Sequence, residues 1–196
     1  MKVLMRRLFM TIMISLSLVE VANAQMLALK TNALNYAAFA PNIGAELVTS
    51  GETSVSLEAV GAFHSFGTNL RAFGLIPEAR YWFHGRPMTR EFIGLSVMGG
   101  TYNMRNNHKT FKGNVGGFGV TFGYSWRLGH KERWTMEAHA GLGFVRYNQH
   151  VRYAPEFTAG EWTDKLFKEK GWVFMPYKVG LSFSYILPTE KILKNL

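Results

Sequence analysis

The sequence predicts an all-β protein, a single eight-stranded antiparallel up-and-down transmembrane barrel. Three observations carry that expectation. After residue 24 a hydrophobic period of two runs through eight separate stretches. Within them bulky apolar residues alternate with small or polar ones, and charges keep to the polar side. Shorter and longer connections alternate along the chain, as the turns and outer loops of outer-membrane barrels do. Composition agrees. The chain has 196 residues, 47% hydrophobic, 14% aromatic and 18% charged, with a formal net charge of +9, which excludes a disordered chain or a coiled coil. There are 0 cysteines, which excludes a disulfide scaffold, thiolate metal sites and cysteine nucleophiles.

The N-terminus is read as a cleaved secretory signal over 1–24. Lys2, Arg6 and Arg7 precede an apolar run over 8–19, and Val21-Ala22-Asn23-Ala24 supplies small residues at the two positions a signal peptidase reads. Residues 25–187 would form the barrel and 188–196 a short periplasmic tail. The strands are expected at 28–36, 42–49, 53–63, 72–83, 91–103, 114–127, 134–147 and 172–187. The turns after the second and sixth strands are short and the one after the fourth, 84–90, is intermediate. The segments 64–71, 104–113 and 148–171 are read as longer outer loops, the last of them the longest. Pro77 lies in mid-strand, where it removes a ladder donor and calls for a bulge, and Pro176 poses the same conflict.

Strand parity assigns the faces. The third strand sets Val55, Leu57, Ala59, Gly61 and Phe63 against Ser54, Ser56 and Glu58. The sixth sets Phe118, Val120, Phe122, Tyr124 and Trp126 against glycines, Thr121 and Ser125. The seventh sets Trp134, Met136, Ala138, Ala140, Leu142 and Phe144 against Thr135, Glu137, His139 and glycines. The eighth sets Val173, Met175, Tyr177, Val179, Leu181, Phe183 and Tyr185 against Lys178, Gly180, Ser182 and Ser184. Small polar residues suit the narrow inside of an eight-stranded barrel, so the bulky faces are expected to meet lipid. Tyr81, Phe83, Tyr124, Trp126, Trp134, Phe183 and Tyr185 would form a periplasmic girdle. Phe63, Phe73, Phe118 and Phe144 would form an outer one.

The phrases Leu29-Lys30-Thr31-Asn32, Pro77-Glu78-Ala79-Arg80-Tyr81-Trp82, Gly99-Gly100-Thr101-Tyr102-Asn103, Glu137-Ala138-His139-Ala140-Gly141-Leu142-Gly143 and Gly180-Leu181-Ser182-Phe183-Ser184-Tyr185 resemble a domain-of-unknown-function family of small exported barrels from Gram-negative anaerobes. That family is similar to the membrane half of OmpA-like proteins. The resemblance implies an outer-membrane location and a surface or fimbria-related assembly role, with no catalytic residues to transfer. Its members often carry a cysteine pair in the last loop, which this chain lacks.

Inward charges by parity are Lys30, Glu46, Glu58, Glu78, Arg80, Glu137, His139 and Lys178. Four carboxylates and three fixed cations in a narrow lumen are expected to pair, because an unpaired buried charge is costly. A structural plug is the favoured reading over a proton relay or gated pore. Glu137 and His139 form half of a hydrolase-like site, with Ser182 or Ser184 as the nearest source of a nucleophile. His64 and Ser65 near a rim, and His108 and His150 in loops, are the residues a lipid-modifying barrel enzyme would draw on. Arg105, Lys109 and Lys112 form a basic loop expected to face lipopolysaccharide phosphates. No metal-ligand spacing or phosphate loop is present, and neither cofactor nor nucleic acid is expected. The leading expectation is a monomeric, non-enzymatic surface protein of the outer membrane of a Gram-negative bacterium. Its expected partners are outer-membrane lipid, lipopolysaccharide and surface or fimbrial proteins. The alternatives are the barrel enzyme and a soluble periplasmic lipocalin-like carrier.

Overall fold

Every neighbouring pair in the main sheet is antiparallel, and the sheet closes on itself. The structure, a computed structural model, describes residues 26–63, 69–106, 109–153, 156–158, 161–163 and 166–187. The elements are β1 (Met26–Asn32), α1 (Ala33–Ala37), β2 (Asn42–Val48), β3 (Thr53–Phe63), β4 (Asn69–Trp82), β5 (Arg90–Asn106), β6 (Lys109–Leu128), β7 (Trp134–Tyr153), β8 (Glu156–Thr158), β9 (Glu161–Thr163) and β10 (Leu166–Leu187). The ring runs β1-β10-β7-β6-β5-β4-β3-β2, and β8 and β9 form a separate two-stranded ribbon. Eight strands thus close in up-and-down order, with β1 sealing the ring against residues 182–187 of β10. The expected signal segment and tail lie outside the described residues.

The first strand is shorter than expected. It stops at Asn32, and the predicted continuation to 36 is α1. The Asn32 side chain accepts a hydrogen bond from the Leu34 backbone N–H at 3.1 Å, an N-cap that starts the helix. The same oxygen accepts from the Leu181 N–H at 3.1 Å, and the amide nitrogen donates to the Val179 carbonyl at 3.2 Å. One buried amide thus fixes the end of β1, the start of α1 and the course of β10.

The strands at the opposite side of the ring are longer than expected. The predicted loop over 104–113 is mostly ladder, with pairing that continues to Asn106 opposite Lys109. The predicted loop over 148–171 is also largely strand. There β7 and β10 stay paired out to Arg152 opposite Leu166, and β8 and β9 occupy part of the remainder. These extensions carry polar residues on their outer side, so hydrophobic alternation fades while backbone pairing persists. The wall formed by β5, β6, β7 and β10 therefore stands higher than the wall formed by the seven-residue β1 and β2.

The two prolines behave differently. At Pro176 the β7–β10 register shifts before Lys178, so Tyr177 is the extra residue of a bulge and its side chain turns inward. This corrects the outward side expected for Tyr177, whereas Val179 and Phe183 keep the expected outward side at 54% and 37% exposure. Beyond the bulge Trp172 and Phe174 lie opposite the outward Arg146 and Phe144, whereas Val173 and Met175 lie opposite Val145 and Gly143 of the inner face. At Pro77 no bulge forms. Pairing to β5 lapses at Ile76 and Pro77 and resumes in the same register, and Pro77 stays opposite Leu57 of β3. A missing donor costs one ladder bond there without adding a residue.

The molecule is inside-out relative to a water-soluble domain. Leu57 (52% exposed), Phe122 (60%) and Leu142 (54%) face outward, while Glu58 (6%), Glu78 (2%), Glu137 (3%) and Lys178 (6%) are enclosed. The tight-turn end of the lumen is closed by a small apolar cluster of Ala28, Val48, Trp82, Met88, Phe92 and Ile186. Trp82 and Phe92 stack at 4.8 Å, and Trp82 donates its indole N–H to Ser54 Oγ at 2.8 Å. Above this cluster sit the ions, then a layer where the Tyr177 hydroxyl bonds Ser96 and, at 3.0 Å, Thr121. Glycine opposite these side chains is a matter of space. A Cβ at Gly119 would strike the Tyr177 ring, and one at Gly180 would strike His139.

Candidate functional site

Six strands send ionisable side chains to one level of the lumen. The alternation that sends Leu29 outward at 46% exposure sends Lys30 inward. Lys30 Nζ lies 3.0 Å from Glu46 and 3.3 Å from Glu137. Arg80 is the hub: its guanidinium reaches Glu46 at 3.0 Å, Glu137 at 2.8 Å and Glu78 at 3.2 Å, and its Cζ lies 4.4 Å from the Phe92 ring centroid. Lys178 joins Glu78 at 2.5 Å and Glu58 at 3.4 Å. His139 Nδ1 lies 3.0 Å from Glu137 Oε1. All eight charged residues named from parity are therefore buried in one connected network.

Sequence reading did not foresee the neutral partners. Ser54 Oγ donates to Glu46 at 2.7 Å, and the Asn42 amide donates to Glu58. These hydrogen bonds satisfy carboxylate oxygens that three fixed cations cannot fully serve. Ser54 was legible as inward by parity. Asn42 was not, because it opens a strand. Tyr177 was misassigned, and Pro176 beside it was the one signal of the bulge.

Chemically, the arrangement is a set of ion pairs that bridge six strands. Glu137 and His139 sit side by side at ion-pair distance, but neither imidazole nitrogen makes a hydrogen bond among the described residues. The serine–histidine link that nucleophilic catalysis needs is therefore not formed at His139. Glu78 Oε1 and Arg80 Nε likewise have no hydrogen-bond partner among the described residues. No group of three or more metal-ligating side chains is found among the described residues. Above the ions lies a cavity of about 260 Å³, bordered by Glu58, Lys178, Tyr177, Ile76, Met98 and Val115.

The other candidate residues lie on the outer wall or outside the described residues. Arg105 and Lys112 are exposed on β5 and β6, and Lys109 begins β6, so the expected basic loop is a strand segment. His150 is exposed on β7. His64, Ser65 and His108 lie outside the described residues. The tight-turn end differs in charge from this upper wall. There Arg86 pairs with Glu132 at 2.6 Å, His84 with Glu91 at 2.9 Å, and Tyr81 donates to Glu52 at 3.0 Å.

Ring and network together define a small up-and-down β-barrel with a network of buried ions across its interior. The chain belongs to the family described as "Protein of unknown function (DUF3575)", whose profile matches residues 8–187. Comparison with curated proteins gives no significant match. Comparison with solved structures gives none either.

Proposed function

We propose that the protein is a non-enzymatic barrel of the outer membrane of a Gram-negative bacterium, exported by a cleaved signal and similar in plan to the membrane half of OmpA-like proteins. Its interior is a structural plug, and it acts through its outward end in envelope integrity, adhesion or fimbria-related surface assembly. The observation that carries this reading is the inversion of polarity, with ions inside and bulky apolar side chains outside. A soluble carrier needs the reverse.

The belt has the right height. Aromatic pairs mark its lower margin, Tyr124–Trp126 at 4.7 Å and Trp134–Tyr185 at 4.9 Å. Phe144–Phe174 at 5.0 Å and Phe118–Trp172 at 6.3 Å mark the upper one. On β6 the interval from Trp126 to Gly116, which pairs with Arg146 beside Trp172, is ten residues. At about 3.3 Å per residue and a tilt of about 40° this spans roughly 25 Å, the height of the apolar band of such barrels.

The test is fractionation with a gel shift. The full chain is expected in the detergent-extracted membrane fraction, and its unboiled band should migrate apart from the boiled one. A chain recovered in the soluble fraction with a single band would overturn the reading. A second arm places Lys at Phe122: on a lipid-facing wall this costs about 2–4 kcal/mol near the midplane, whereas on a water-facing wall it would leave stability unchanged or raised.

A further inference from the structure

Antiparallel register places one continuous row across the outer wall just above the aromatic margin. Arg71 pairs with Asn103, Asn103 with Lys112, Lys112 with His150, and His150 with Lys168. All five share the outward parity of Phe118, Phe144 and Phe174, and all five are exposed. The row beneath holds Thr101, Asn114, Asn148 and Lys170, again in register. No acid faces outward in either row. Glu169 takes the inner parity and accepts a hydrogen bond from Gln149 at 2.8 Å.

The wall is also recessed there. A hollow of about 740 Å³ is lined by Arg71, Thr101, Asn103, Lys112, Asn114 and His150 among others. Its lining joins the cations Arg71 and Lys112 to the short polar side chains of Thr101, Asn103, Asn114 and Asn148, with Phe63 and Phe73 beside them. Arg71 and Lys112 are two strands apart, hence about 10 Å, and Lys112, His150 and Lys168 follow at about 5 Å each. Each two-residue step rises about 5 Å along the barrel axis. On β6, β7 and β10 the row thus lies four residues, about 10 Å of barrel axis, above Gly116, Arg146 and Trp172 of the same strand, and the Arg146 guanidinium lies 5.8 Å from the Trp172 ring centroid. A ligand seated there would keep its acyl chains against the belt and its anionic groups among the cations. Polar contacts by amides and a hydroxyl suit sugar hydroxyls, whereas arginine and lysine suit phosphate oxygens.

We propose that the outer wall of β4, β5, β6, β7 and β10 is a binding site for a phosphorylated glycolipid of the lipid A type. Its phosphates would be held by Arg71, Lys112 and Lys168, and its sugar would sit over Asn103 and Asn114. The proposal rests on the outer-membrane reading above and adds a specific ligand and a specific face to it.

The full chain, refolded in a non-ionic detergent, is titrated with bis-phosphorylated lipid A. Dephosphorylated lipid A and phosphatidylglycerol serve as the two comparison lipids. The wild type is expected to bind bis-phosphorylated lipid A more tightly than either. The triple variant Arg71→Gln, Lys112→Gln, Lys168→Gln should bind it at least about tenfold more weakly, while Arg86→Gln at the other end binds as wild type. All three substitutions lie on the exposed wall, and the gel shift of each variant reports that it has folded. Equal affinity of the triple variant and the wild type overturns the site. Equal binding of the dephosphorylated lipid overturns the role of phosphate, and equal binding of phosphatidylglycerol overturns the glycolipid assignment. If the chain shifts on gels but binds no lipid A, this inference fails alone. If it neither fractionates with membranes nor shifts, the outer-membrane reading has failed first.

Discussion

Replacing Arg80 by methionine tests whether the buried ions are a plug that holds the barrel together. Arg80 touches three carboxylates, at 2.8 Å to Glu137, 3.0 Å to Glu46 and 3.2 Å to Glu78. At an effective dielectric of about 20 a contact near 3 Å is worth about 5 kcal/mol of Coulomb attraction. Desolvating each ion costs several kcal/mol in the other direction, so the intact network contributes far less than the sum of its contacts. The asymmetry lies in breaking it. Without the guanidinium, four enclosed carboxylates face only Lys30, Lys178 and His139. Removing one partner of a buried pair typically costs about 3–5 kcal/mol. Urea unfolding of the refolded barrel in detergent, followed by tryptophan fluorescence and by the gel shift, should therefore register a loss of that size for Arg80→Met. The variant Arg80→Met with Glu137→Gln removes a stranded charge along with the cation. Its cost should fall below the sum of the two single costs by at least about 1 kcal/mol. A single-variant cost under about 1 kcal/mol, or strict additivity, would refute the claim that these charges act as one unit.

Three further outcomes follow from the same geometry. Tyr177→Phe keeps the ring over Gly119 and Gly141 but leaves Ser96 and Thr121 without their shared partner, which should cost about 1–3 kcal/mol in the same unfolding assay. Gly180→Val puts a branched side chain against His139 and Asn32, and overpacking there should cost about 1–3 kcal/mol or more and lower the temperature at which the shifted band is lost. Asn32→Ala removes the cap of α1 together with two bonds to β10, so a loss of about 1–3 kcal/mol is expected, accompanied by faster amide exchange at Leu34 and Leu181.

Much of the fold was legible because a closed antiparallel ring imposes one rule everywhere, the period of two. Parity alone put Glu137 beside His139 and sent Lys30 inward, and it separated Leu57 from Glu58. The same rule failed where a local event resets parity. The extra residue at Tyr177 shifts the register of β10 against β7, so that Tyr177 turns inward and Val173 and Met175, though exposed, lie opposite Val145 and Gly143. It also failed where one face loses its hydrophobic pattern. Arg105, Lys112 and Arg152 look like loop residues in a list of letters, yet their backbones continue the ladder.

The sequence by itself determined the eight strands of the ring, the closed all-β plan and the identity of the inward ions, since each follows from alternation and from the cost of stranding a charge, whereas the β8–β9 ribbon was not foreseen. Tertiary structure alone decided which ion meets which, with Arg80 as the hub joining Glu46, Glu78 and Glu137. Only register between strands distant in sequence sets those distances. It decided equally that Arg71, Lys112 and Lys168 form one row. These three residues are scattered along the chain, and hydrogen-bonded pairing across four successive strand interfaces is what aligns them.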